Sequence, residues 1–211
     1  MLLRPDRLRP ILVRTPRALT EWRPSTREGR GVSQTLDKVR CSECGEEHDP
    51  SDIEPSFDRP DAWFDVPDED RPDRTWDGGK VCLLRETETA PRRHYLRVVL
   101  PIPVRGESGV YNWGVWVEVS AAHFDITLNR WEDPDQANEP RFPGLLANEL
   151  PDMPPTLGLG GSVQLVGPAH VPDFFLDPAI DHPFVREQEQ GVFPERLIEW
   201  SMRAIHAAHD E

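Results

Sequence analysis

Long apolar runs and cysteines are both scarce in this chain of 211 residues. No segment approaches the roughly 20 consecutive apolar residues that a membrane-spanning helix needs. No apolar core follows the basic start of the chain, so we expect no secretory signal. Three cysteines are too few for a disulfide framework and are typical of a reducing compartment. Together these absences predict a soluble, cytoplasmic protein.

Familiar catalytic and nucleotide-binding signatures are missing as well. The sequence has no Gly-x-Ser-x-Gly nucleophile elbow and no dinucleotide-binding fingerprint. The glycines at 158–161 precede a predicted strand, and no Gly-Lys-Ser/Thr follows them, so they do not form a phosphate-binding loop. The acidic residues at 68–70 lack the ordered spacing of a calcium loop. For His123, near a helix start, and His182, before a proline, we expect roles in local structure.

Charge is distributed unevenly along the chain. The formal net charge is −14, but residues 1–36 carry eight arginines against three acidic residues, so the remainder carries −19. Such an acidic body repels a phosphate backbone, which argues against nucleic acid as a partner. Acidity favours a basic protein partner, or serves only to keep the protein soluble.

Residues 1–36 show neither helical nor strand periodicity. We expect them to form a disordered tail, or to result from a start codon assigned too far upstream. A basic arm that binds nucleic acid or a membrane surface is the functional alternative. The folded part is predicted to be one domain over residues 39–209, because a chain of this length has room for one core.

Alternating apolar residues predict the strands. The alternation runs along 94–104 and 110–119, with a turn-forming segment between them, which predicts an antiparallel hairpin. Pro101 and Pro103 both lack N–H groups on the same lateral side, so we expect an edge without a strand partner there. Shorter strands are predicted at 81–84, 162–166 and 173–176.

Helices are predicted after three start signals. Ser120 is a suitable N-cap, and the apolar residues that follow it share one helix face: Phe124, Leu128 and Trp131. A second helix is expected over 183–190 and a third from Pro194, which would pack on the sheet. The proline-rich residues 49–79 and 132–161 are expected to be connections.

The sequence therefore predicts an α+β fold: an antiparallel sheet with two or three packed helices and an N-terminal zinc-knuckle-like CxxCG segment. That segment is Cys41-Ser42-Glu43-Cys44-Gly45, with His48 shortly after it and Cys82 on the first predicted strand. Zinc prefers a tetrahedral set of thiolates and imidazoles, and two cysteines separated by two residues can bind one ion. We expect Cys41, Cys44, Cys82 and His48 to hold one structural zinc ion, with His94 as the alternative fourth ligand.

Other readings of these cysteines stay open. They could be ordinary thiols, or a redox pair, although redox chemistry usually needs the first thiol at a helix N-terminus. If His48 did not bind the ion, Glu47 or His48 could act as the base of a metal-dependent hydrolase. Three thiolates make zinc a poorer Lewis acid, which favours a structural role.

Several segments in order closely resemble the bacterial domain-of-unknown-function family "twenty-one ninety-nine". These segments are Cys41-x-x-Cys44-Gly45-x-x-His48, Pro55-Ser56-Phe57, Val81-Cys82, His94-Tyr95-Leu96-Arg97, Leu100-Pro101-Ile102-Pro103-Val104, Trp113-Gly114-Val115-Trp116-Val117, Leu150-Pro151, Pro154-Pro155-Thr156-Leu157, and His182-Pro183 through Glu187-Gln188 to Gly191. The resemblance covers about residues 39–209. It implies the domain boundary and an association of Cys41 and Cys44 with Cys82, but no activity.

The function expected from the sequence is a zinc-stabilised, non-enzymatic binding or regulatory module of the bacterial cytoplasm. A metal-dependent hydrolase at the CxxC/His site is one alternative. Nucleic-acid binding through the knuckle and the basic arm is another.

Overall fold

A computed structural model of the chain describes residues 8–12, 39–40, 47–48, 53–106, 109–168 and 170–209. These described residues include eleven strands: β1 (Leu8–Leu12), β2 (Val39–Arg40), β3 (Glu47–His48), β4 (Ile53–Phe57), β5 (Thr75–Asp77), β6 (Val81–Leu84), β7 (Arg93–Pro103), β8 (Val110–Val119), β9 (Phe142–Leu146), β10 (Gly160–Gln164) and β11 (Asp173–Leu176). The helices are α1 (Asp61–Phe64), α2 (Arg71–Arg74), α3 (Ala121–Arg130), α4 (Pro183–Gln190) and α5 (Pro194–His209).

The long hairpin of β7 and β8 is the centre of the fold. The two strands pair antiparallel over ten residue pairs, from His94 opposite Val119 to Pro103 opposite Val110. Because side chains alternate between the two faces of a strand, the hairpin has two distinct faces. Its inner face carries apolar side chains that are at most 1% exposed, namely Leu96, Val98, Leu100, Ile102, Trp113, Val115 and Val117. The hairpin predicted from the alternation is confirmed.

The sheet closes into a five-stranded barrel. The order β8-β9-β10-β11-β7 returns to β8, and three of its pairings besides the hairpin are antiparallel. The fourth, between β11 and β7, is parallel and aligns Asp173 with Val99, whose N–H donates to Pro172 O at 2.8 Å. The predicted mixture of strands and helices is confirmed. However, the sheet is a closed barrel instead of an open antiparallel sheet.

Both long strands also carry pairs outside the barrel. β6 pairs with β7, and β5 with β6, both antiparallel. On the other side β4 lies parallel to β8 with Ser56 opposite Gly114, and β1 pairs with β4. For Leu8–Leu12 the structure therefore shows a strand where the sequence predicts a disordered tail; the rest of residues 1–36 lies outside the described residues.

The segment predicted as a connection over 49–79 contains regular structure from residue 53 onward. It holds β4, α1, α2 and β5. The prediction of a mere loop is therefore wrong for residues 53–79. β9 lies within the segment 132–161, which the sequence predicts to be a connection. The prediction fails there because proline and glycine, here Pro143 and Gly144, are typical of loops. The Gly144 position faces the Phe174 ring inside the barrel, where a Cβ would lie 3.4 Å from that ring.

Helices α4 and α5 both begin where the sequence predicts, and α4 packs against β7 and β11. Leu197, Trp200 and Ala204 of α5 are at most 1% exposed, and the Trp200 ring meets the rings of Trp113 and Phe184 edge-on. α5 also packs against β1 and β4. This helix therefore completes the apolar core.

Helix α3 begins at the predicted N-cap, since the Ser120 hydroxyl accepts a bond from the His123 N–H. The predicted apolar face is wrong in part. Phe124 and Thr127 are buried, whereas Leu128 is 43% exposed. Phe124 and Thr127, which are three residues apart, therefore face the sheet instead of the predicted set. Thr127 tolerates burial because its hydroxyl donates to His123 O at 2.9 Å.

The edge predicted at Pro101 and Pro103 has no strand partner beyond Val99 among the described residues. Helix α4 and the residues after it cover this edge. The Gln188 side chain donates to Pro101 O at 3.3 Å, and the Val192 N–H donates to Pro103 O at 2.9 Å. Gly191 allows this approach because its φ is 74° and a Cβ would lie 2.8 Å from Pro103 O.

Candidate functional site

The predicted zinc ligands fall partly outside the described residues. Cys41 and Cys44 both do, and of His48 only the backbone is described. The strands on either side of residues 41–46 nevertheless pair antiparallel, with Val39 opposite His48 and Arg40 opposite Glu47. The CxxCG motif therefore connects the two strands of a β-hairpin.

Cys82 lies in the middle of β6, between Asp77 on β5 and Tyr95 on β7. Its side chain is completely buried and forms no disulfide. Burial raises the pKa of the Cys82 thiol well above its usual range, and the nearby Arg59 guanidinium opposes this only in part. Without a metal the thiol is protonated at neutral pH, so it is a poor nucleophile.

His94, the alternative fourth ligand, belongs to the other face of the sheet. Cys82 is opposite Tyr95, while His94 is opposite Leu83. Since neighbouring residues of a strand point to opposite faces, Cys82 and His94 point away from each other. The His94 ring packs edge-on against Phe124 of α3, with ring centroids 5.2 Å apart. This geometry favours His48 over His94.

We define the outer face of the sheet as the face of four neighbouring strands, in the order β4-β8-β7-β6, on which Cys82 and Tyr95 lie opposite each other. Tyr95 is fully buried there, and its hydroxyl has no hydrogen-bond partner among the described residues. Beside it, Arg93 forms a bidentate ion pair with Glu118, with N–O distances of 3.0 and 2.5 Å. Bidentate pairing of this kind fixes both side chains.

Arg97 occupies the centre of the outer face. Its guanidinium donates to the Ser56 hydroxyl on β4. Burial lowers the pKa of Arg97; the Asp58 carboxylate opposes this, and Arg59 adds to it. On the same face Glu54 accepts a bond from Asn112 Nδ2 at 2.6 Å, and burial raises the pKa of Glu54 to about 7 in spite of that bond. The outer face thus holds two partly desolvated ionisable groups.

A buried polar network holds the loop that carries Arg59. Asn148 is completely buried, and its Oδ1 accepts from the Trp116 N–H at 2.8 Å. Its Nδ2 donates to Arg59 O at 2.9 Å and to Asp61 Oδ1 at 3.1 Å. Arg59 itself pairs with Asp77 and lies over the rings of two tryptophans. Asn148 therefore fixes the loop beside Cys82.

His123 and His182 have the local roles that the sequence predicts. His182 Nδ1 accepts from the Phe184 N–H at 3.1 Å, which caps α4, while its Nε2 lies 3.3 Å from Pro154 O. His123 Nδ1 lies 2.9 Å from the Ser120 hydroxyl, and the His123 ring stacks on Phe142. Both imidazoles are therefore engaged in local structure.

Sequence reasoning assigned no role to Ser56, Arg97 or Asn148. The first two fall within segments that carry the family resemblance, but only the pairing of β4 with β8 brings them together. Within the part of the chain that the structure describes, no three His, Cys, Asp or Glu side chains gather closely enough to hold a metal ion. The zinc prediction therefore depends on residues outside that part.

Comparison with known proteins identifies a family but no activity. The model of the family DUF2199, described as an uncharacterised protein conserved in bacteria, matches residues 40–192. No curated protein and no solved structure matches the chain. Among the described helices, none combines the length and the apolar character needed to cross a bilayer. The matched range includes the CxxCG motif, Cys82 and the whole barrel, and the predicted resemblance is confirmed: the chain belongs to this family of uncharacterised bacterial proteins.

Proposed function

We propose that this protein is a zinc-stabilised, non-enzymatic binding module. In this proposal Cys41, Cys44, His48 and Cys82 hold one zinc ion in a closed tetrahedral site. The observation that carries the proposal is the pairing of β2 with β3 across the CxxCG motif. A short hairpin of this kind would bring both cysteines of the motif to one ion.

Zinc would supply a cross-link between the hairpin of β2 and β3 and the barrel sheet. The hairpin of β2 and β3 has no strand pairing with the barrel sheet among the described residues. A bond from the ion to Cys82 would fasten this hairpin to β6, next to the outer face. Because such a site is absent from the unfolded chain, the free energy of zinc binding would add directly to the free energy of folding.

A binding role fits the chemistry of the described side chains better than catalysis does. Cys82 is completely buried, and His123 and His182 are engaged in local structure. The acidic surface would favour a basic protein as the partner. No observation on the described residues favours the hydrolase or the nucleic-acid alternative.

Elemental analysis of the untagged protein tests the zinc site. We expect about one zinc per chain in the wild type, consistent with a single four-ligand site. Cys44→Ser should lose the metal and unfold at a lower temperature, whereas Ser42→Ala, between the same two cysteines, should retain both. The proposal would be refuted if the wild-type protein, purified under reducing conditions, contained no zinc. It would also be refuted if the Cys44→Ser variant kept its full zinc content.

A further inference from the structure

Strand β1 covers an edge of the domain to which the family model matches. It pairs antiparallel with β4, from Leu8 opposite Phe57 to Leu12 opposite Ile53. β1 ends the nine-stranded sheet, since β4 is its only strand partner among the described residues. The matched range begins at residue 40, so it includes β4 but not β1. The strand that closes this edge is therefore an addition to the matched domain.

The place that β1 occupies is a groove between a strand and a helix. β4 supplies a backbone edge, and α5 packs against both β1 and β4. Beside that edge lies the apolar core: Phe57 is 3% exposed, and its ring stacks with that of Trp113, with 6.4 Å between the centroids. Without β1 the edge of β4 would present unpaired N–H and C=O groups next to this core. Such an edge is a template for the addition of an extended segment.

Two prolines show why another segment would have to replace β1 instead of pairing beside it. Pro10 lies directly opposite Pro55, and neither residue has an N–H. This pair suits the position of an antiparallel ladder at which the backbone groups of both residues point away from the partner strand. Pro10 then leaves the free side of β1 without one donor, which blunts that side as an edge. By the same alternation, the backbone groups of Arg9 and Ile11 point to β4.

Charge favours a basic segment in this groove. In the register Arg9 lies opposite Ser56, and Glu54 and Asp58 lie two positions to either side of Ser56. Diagonal neighbours at this spacing are within reach of a long side chain. These two carboxyls outnumber the guanidinium that bonds to Ser56, that of Arg97. The net charge of −14 also favours the approach of a basic segment at longer range.

We propose that the groove between β4 and α5 binds an extended, basic segment of another protein, and that β1 occupies this groove in the free chain as an internal competitor. The inference rests on the proposed binding role, and it names the class of partner and its regulation. The partner segment adds to β4 as a strand, with a basic residue at the position of Arg9 between apolar ones. Because the partner has to displace β1, weakening β1 raises the apparent affinity for the partner.

Fluorescence anisotropy with a labelled peptide tests the groove on the full-length protein at pH 8, above the Glu54 pKa of about 7. The peptide has the sequence of residues 6–14. Two N-methylated versions of it separate strand addition from attraction between charges. Methylation of the Ile11 nitrogen, which would face β4, should weaken binding at least about tenfold. Methylation of the Leu12 nitrogen, which would point away from β4, should change the affinity little.

Two variants of the full-length chain test the competition. Ile11→Pro removes an N–H that points to β4, and Arg9→Glu reverses the charge between two carboxyls. Both should weaken β1 and raise the affinity for the unmodified peptide, by about tenfold and roughly threefold. Arg27→Glu, in the segment between β1 and β2, is the matched control and should bind like the wild type. Should Ile11→Pro not fold, Arg9→Glu decides.

The proposal would be overturned by a lack of saturable binding to the wild type and the folded variants. Equal binding of the two N-methylated peptides, or no gain in affinity from either folded variant, would overturn it as well. A wild-type chain that is a dimer at the concentrations used would assign the groove to β1 of a second copy and would overturn the claim of a separate partner. The zinc content of the same preparations is measured in parallel, so a failure of the zinc site and a failure of the groove are distinguishable.

Discussion

Asn148→Ala should be among the most destabilising single substitutions in this protein. The Asn148 side chain is completely buried and makes three hydrogen bonds, to the Trp116 N–H, to Arg59 O and to Asp61 Oδ1. Alanine removes all three bonds and leaves their partners in place. The Trp116 N–H is then buried without an acceptor, because Trp116 itself is completely buried.

The magnitude follows from the partners that lose their bonds. A buried polar group without a partner costs about 1–3 kcal/mol. Asp61 loses less than a full bond, since its Oδ2 still accepts from the Glu149 N–H at 2.9 Å. With the Trp116 N–H and Arg59 O as the main losses, we expect a decrease of about 3–5 kcal/mol in the free energy of unfolding. This is a large part of the 5–15 kcal/mol that is typical of a whole domain.

Urea unfolding followed by tryptophan fluorescence measures this change. The free energies of unfolding of the variant and the wild type are compared provided that their m-values are equal. Asn129→Ala, an exposed asparagine near the end of α3, serves as the control and should change stability by less than about 0.5 kcal/mol. An Asn148→Ala variant within about 1 kcal/mol of the wild type would show that water or a shifted loop replaces these bonds. The network would then not be what holds the Arg59 loop.

Two further predictions concern the barrel and the outer face. Gly161→Ala should destabilise the protein by at least about 2 kcal/mol in urea unfolding, because the added Cβ would lie 2.4 Å from Phe175 O. Gly160→Ala is the control and should cost clearly less, because the nearest atom to its added Cβ would be 3.7 Å away. Burial raises the pKa of Glu54 from 4.5 to about 7, so its ionisation in the folded state opposes folding increasingly as the pH rises from 4.5 through 7. Glu54→Gln should therefore be more stable than the wild type near pH 8, by up to roughly 3 kcal/mol, and similar to it near pH 4.5; an equal difference at both pH values would contradict this.

The sequence predicts the parts of this fold that depend on local periodicity. The β7–β8 hairpin, α4 and α5 follow from alternation, caps and a helical stripe. Closure of the barrel does not, because it depends on the single parallel pair of Asp173 and Val99, far apart in the chain. β4 was missed because Pro55 interrupts a short apolar segment that becomes a strand only beside β8.

The candidate site is predictable to a similar extent. Residue types and spacing single out three cysteines and two histidines as candidate zinc ligands, but nothing local tells which histidine shares a face with Cys82. In an alternating strand Arg97 is typical of an exposed residue. Its partial burial becomes evident only when β4 brings Ser56 beside it.

Cobalt substitution tests the central claim, that Cys82 is the third thiolate of a zinc site shared with the CxxCG hairpin. The visible spectrum of the cobalt-loaded wild type should be that of a tetrahedral site, with sulfur-to-metal charge-transfer absorption from three thiolates. Since each of the three thiolates contributes to that absorption, Cys82→Ser should lower its intensity by at least roughly one third, through loss of one thiolate or of the whole ion. An unchanged spectrum in Cys82→Ser would contradict the account and leave Cys82 as a core thiol.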